Sequence, residues 1–173
     1  MFDARRAVPL AILALVALAP LAARAQQAPA PPPPPYGAPI GVEAARKVAT
    51  AALAEGKKNG WSVAAAVVDS GGHLVYFERS DGTQYGSADV SIGKARTSSA
   101  FRRPTKAIED VIAGGRTAYL GLPGAVPLEG GLPLVVDGKL VGAVGVSGGT
   151  SQQDGVCAQA GVAALGTGAS APK

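Results

Sequence analysis

The dipeptide Asp137-Gly138 stands between two apolar runs, LPLVV and KLVGAVGVS, and constrains the fold more than any other feature of the chain. An Asp-Gly pair accepts the positive φ angles of the two-residue turn whose twist matches a hairpin, so the flanking runs pair as antiparallel strands. Upstream, Ser70-Gly71-Gly72 joins a strand-like run from Trp61 to Asp69 to a second from His73 to Arg79. Two hairpins commit the chain to antiparallel pairing, because parallel neighbours need long crossover connections.

Helical spacing fills the remainder. Val42, Ala45, Ala49, Ala52, Leu53 and Gly56 line one face, and Asn59-Gly60 supplies a stop. Ser87 fits the N-cap of a helix reaching Phe101. Pro104 interrupts, and Thr105 to Ala113 forms a shorter helix closed by Gly114-Gly115. A loop rich in glycine and proline runs from Arg116 to Leu132. Thr150 caps a last helix to Leu165, with Gln153 in the capping-box position. The order is helix, hairpin, two helices, hairpin, helix, without the βαβ alternation of a doubly wound sheet. The expected fold is a single α+β domain, an antiparallel sheet covered by helices. Gly142 and Gly145 in the last strand leave room for a close backbone approach by a helix, a neighbouring subunit or a ligand.

The ends read differently. Arg5-Arg6, the apolar stretch AVPLAILALVALAPLAA and Ala23-Arg24-Ala25 make residues 1–25 a secretory signal peptide, which places the mature protein in the periplasm or outside the cell. The arginine pair leaves both the general and the twin-arginine export routes open. Gln26 to Pro39 is a proline-rich tether of polyproline II character, residues 40–166 form the domain, and residues 167–173 are a frayed tail. Cleavage removes Arg5, Arg6 and Arg24 from 16 basic residues and Asp3 from 12 acidic ones, leaving 13 against 11. Such a balance carries no electrostatic footprint for nucleic acid. Arg102 and Arg103, the densest basic spot, read as a solvated helix end. Cys157 is the only cysteine, so no internal disulfide or CxxC motif exists; its small neighbours suggest a buried position on a helix face, the alternative being a disulfide between subunits.

Candidate chemistry is sparse. GVSGG at Gly145 to Gly149 matches a nucleophile elbow, but no histidine follows Ser147 to complete a hydrolase triad. SGGTSQQD could offer backbone N–H groups to a carboxylate at a helix N-terminus, or cap that helix by itself. Asp69, Glu78 and Asp81 cluster around the first hairpin with His73, the only histidine, between them. A neutral imidazole there could ligate iron with its other nitrogen steered by Asp69, or point into solvent.

Three stretches carry a resemblance: AAVVDSGGHLVYFERSDG, IGKARTSSAFRRPT and EGGLPLVVDGKLVGAVGVSGGTSQQDGVCAQAG. Together and in this order they resemble the GlcG/HbpS-like haem-binding family, which includes the C-terminal domains of PduO-type proteins, over nearly all of Ile40 to Gly166. The resemblance implies a helix-covered antiparallel sheet in compact homo-oligomers, with haem bound in some members and a haem or redox-sensing role in secreted ones. It places His73 at the position proposed for the iron ligand, and Lys94, Ala95 and Thr97 where haem contacts are thought to lie. Lys94, Thr97 and Phe101 also share one helix face. One departure stands out. Arg79-Ser80-Asp81-Gly82-Thr83 replaces the family's R-M-D-G-A, removing a methionine that could serve as second ligand.

The leading expectation is an exported haem binder or sensor component, not a dedicated catalyst. His73 is the metal ligand, with Lys94, Arg96, Thr97, Phe101 and Phe77 around the cofactor. Lys94 or Arg96 is available to a propionate, and Phe77 and Tyr76 alternate across the second strand. Two alternatives stay open. One is a protein acting on an organic acid at Gly145 to Thr150, with Asp69 or Glu78 as base. The other is an assembly module that contacts a membrane sensor through its tether. A core poor in large side chains favours homo-oligomerisation in each case.

Overall fold

The computed structural model describes residues 32–166. Helix α1 (Val42–Lys58) leads into strands β1 (Ala64–Asp69) and β2 (Leu74–Arg79). Helices α2 (Gly86–Phe101) and α3 (Thr105–Ala113) follow, then a 3-10 turn at Thr117–Gly121. Strands β3 (Gly131–Val136) and β4 (Lys139–Ser147) and helix α4 (Ser151–Leu165) complete the domain. The α+β class and the element order agree with the sequence reading.

The four strands form one antiparallel sheet in the order β2-β1-β4-β3. The two hairpins therefore join through their inner strands, and β1 is buried from Ala64 to Val68. On one face, α1 and α4 pack together over Val63, Ala65, Val67, Val144 and Val146. On the other, α2 covers Val68 and Ala143 with Ala95. A Cβ at Gly145 would run into the Ser91 carbonyl and the backbone of Ala95, so the close approach anticipated at this glycine is made by helix α2.

Turn chemistry follows the residues. Asp137 (φ 49°) and Gly138 (φ 73°) take the positive angles that the hairpin demands. Asn59 caps α1, and Thr150 and Gln153 close a reciprocal capping box on α4. One helix start differs. Tyr85 already has helical angles, so α2 begins before Ser87, whose hydroxyl is buried within the first turn without a partner.

The described part of the proline-rich segment, residues 32–39, is docked. Leu140 N–H donates to the Pro35 carbonyl at 2.8 Å, Gly37 N–H to the Leu140 carbonyl at 2.7 Å, and Ile40 N–H to the Val141 carbonyl at 2.8 Å. Tyr36 thus bridges β4 in parallel at Leu140, just past Gly142, where β1 ends. The signal peptide at 1–25, the tether's first residues to 31 and the tail at 167–173 lie outside the described residues. Among the described residues, no helix is long and apolar enough to cross a membrane.

Candidate functional site

The β1–β2 turn is held from within. Asp69 Oδ1 accepts the N–H groups of Gly71 (2.8 Å) and His73 (2.9 Å), and Asp69 N–H donates to the His73 carbonyl at 2.9 Å. Gly72 takes φ 85°, which a side chain would resist. The His73 imidazole folds back so that Nδ1 lies 3.4 Å from Asp69 Oδ1 and close against Gly71. The ring is 84% exposed, with Nδ1 facing the carboxylate. That arrangement leaves Nε2 as the nitrogen available to a ligand.

Helix α2 anchors this turn. Ser99 Oγ donates to the carbonyls of Asp69 (3.1 Å) and Ser70 (3.2 Å), and the exposed Arg96 donates through Nε to Gly72 at 3.3 Å. Between turn and helix end lies a pocket of about 480 Å³. Ser70, Gly71 and Gly72 line it from the turn, Ser99 and Ala100 from α2, and Tyr36 from the docked segment. Its volume lies in the range usual for small-molecule and cofactor sites.

The structure brings only some expected site residues together. Arg96 reaches the turn that carries His73, at the Gly72 carbonyl. Lys94 does not join them; it is 2% exposed and donates to Asp154 Oδ2 at 2.7 Å and to the Val146 carbonyl at 3.0 Å. Burial pushes the Asp154 carboxyl above its ordinary range, while Lys94 and the N–H groups of Gly149 and Gly148 pull it back. The ammonium is therefore not free for a propionate. Thr97, also buried, bonds the Gly93 carbonyl and accepts from Val126 N–H, both at 2.8 Å, which fixes the loop before β3. Phe101 lines a separate, smaller hollow of about 140 Å³ with Ile108, Tyr119 and Leu122. Phe77 is half-buried in β2 opposite Ala66.

The carboxylates also separate. Glu78 pairs with Ala65, four residues and therefore about 13 Å along β1 from Asp69. It accepts from Tyr76 Oη at 2.9 Å, which raises the tyrosine's pKa. At the Gly145 to Thr150 corner, Gly149 N–H donates to Asp154 Oδ1 and Thr150 N–H to Gln153 Oε1, both at 2.9 Å. Those two donors are thus spent inside the chain, one of them in the capping box. Among the described residues, no group of three His, Cys, Asp or Glu side chains could hold a metal ion.

Tyr36 and Ser99 were missed by sequence reasoning. A tyrosine within a proline run looks like linker, and Ser99 differs in no local pattern from its neighbour Ser98.

The family model described as "Haem degrading protein HbpS-like" matches residues 40–163. Protein GlcG of Escherichia coli (strain K12) is 47% identical over 103 residues, 60% of this chain and 77% of that protein. A double-mutant form of HbpS from Streptomyces reticuli superposes with a TM-score of 0.70 at 34% identity, over 87% of this chain and 99% of that one. The PduOC–haem complex superposes at 0.68 with 27% identity, over 75% of this chain and 97% of that one.

Proposed function

The chain belongs to the HbpS-like family, and from that premise we propose that it binds haem, with the His73 imidazole as the iron ligand beside the β1–β2 turn. The carrying observation is one juxtaposition. An exposed imidazole is held by Asp69 against Gly71, and Gly71 with Ser70 and Gly72 lines a pocket of about 480 Å³ on the same turn. The family description and the haem-bound PduOC relative support the choice of ligand.

The residues fit the group. His73 offers Nε2 to iron while Asp69 orients the ring from Nδ1. Arg96, exposed and tied to Gly72, supplies a guanidinium for a propionate. Bound haem would supply a redox-active iron, and the chain's part is to seat and orient it. Lys94 and Thr97 contribute by stiffening α2 and the loop it holds. The test is a hemin titration followed by Soret absorbance. A saturable change near one haem per chain supports the reading; a purely linear response to the end of the titration contradicts it.

The fuller reading is a periplasmic or secreted protein that works as a homo-oligomer, with an envelope sensor as a further partner. The leader-like residues 1–25 support export. Ring exposure supports association, since a largely apolar macrocycle on His73 of a single chain would keep one side in water.

A further inference from the structure

The pocket beside His73 is completed by one residue from outside the hairpin and α2. Ser70, Gly71, Gly72, Ser99 and Ala100 offer it only backbone and small side chains. Tyr36 is its single large side chain, and it is 51% exposed. Its hydroxyl is already committed, donating toward the Ser99 (3.3 Å) and Ala100 (3.1 Å) carbonyls in the last turn of α2, the first of which also accepts from Arg102 N–H at 3.3 Å. What remains for a ligand is the ring. The Arg102 guanidinium lies 5.2 Å from the ring centroid and donates through Nη1 to the Pro34 carbonyl at 3.3 Å, bracing the ring and its segment together.

We infer that Tyr36 is a ligand-contact residue, its ring packing against a flat aromatic ligand held at His73, and that the docked segment serves to place this ring in the site. The inference rests on the haem reading for the identity of the ligand. It adds a linkage that runs both ways. A ligand that touches Tyr36 binds the docked form of the segment more tightly, so occupancy holds the segment down and loss of docking weakens binding by the same factor.

The experiment compares hemin titrations of the full chain, Tyr36→Ala and Tyr36→Phe, with thermal melts to show that the variants fold. It also follows chymotryptic cleavage after Tyr36 in the wild type with and without hemin. The expected result is about a tenfold or greater loss of affinity for Tyr36→Ala, near-wild-type affinity for Tyr36→Phe, and slower cleavage with hemin. Equal affinity in Tyr36→Ala with unprotected cleavage overturns the inference and leaves the haem reading standing. Equal losses in both variants overturn the contact through the ring. A wild type that takes up no hemin overturns both, and is recognised without any variant. If Tyr36→Ala fails to fold, protection of the wild-type bond decides alone.

Discussion

Lys94 Nζ lies 2.7 Å from Asp154 Oδ2, joining α2 to α4 through a pair whose side chains are only 2% and 3% exposed. Removing one partner strands the other charge in the interior. Lys94→Met is expected to cost about 3–5 kcal/mol in denaturant unfolding, whereas Lys94→Met combined with Asp154→Leu recovers most of that loss. Equal destabilisation by the single and double variants contradicts this account of the pair.

The pair also sets a pH dependence. Asp154 has a folded pKa raised from 3.8 by burial. A raised acid contributes stability that is fully present below its unfolded pKa and is lost as pH rises through the folded one. The stability of the wild type relative to Asp154→Asn is therefore expected to fall as pH increases above 3.8 and then level off. A difference that grows with pH across that interval has the wrong sign.

Cys157 is buried under α1 and the sheet, and burial pushes its thiol up to about 11. At pH 8 about one thiol in a thousand is ionised. A disulfide reagent is expected to label the folded protein very slowly and the unfolded protein at once. Rapid labelling under native conditions contradicts the burial.

Gly145 admits no side chain, because the backbone of α2 occupies the space. Gly145→Ala is expected to destabilise by about 1–3 kcal/mol or more, since helix and strand must part. An unchanged melting temperature contradicts the close packing on this face.

Both hairpins and all four helices were legible because each depends on neighbours in sequence: Asp137-Gly138, Asn59-Gly60, and the capping box of Thr150 and Gln153. The joining of the hairpins through β1 and β4 depends on non-local pairing and left no local sign. The same limit explains Lys94. Its helix face was correctly read, but its partner lies 60 residues later in α4, so a lysine expected at a ligand is a buried cross-brace. Composition misleads at Pro34 to Pro39, where proline content reads as tether although the Pro34 and Pro35 carbonyls and the Gly37 N–H find partners. Of the expected site residues, Arg96 bonds the Gly72 carbonyl in the turn that carries His73. Tyr36 was hidden by its surroundings.

The haem reading requires a second surface over the exposed ring of His73, so the protein is expected to sediment as a homo-oligomer at micromolar concentration. A stable monomer that nonetheless binds haem tightly contradicts that requirement.

Hemin titration of His73→Ala against the wild type tests the central claim most directly, because the exposed ring can be removed with little effect on the fold. The account predicts a folded variant whose Soret band stays at the position of free hemin while the wild-type band shifts and saturates. Indistinguishable spectra and saturation points for the two proteins would contradict it.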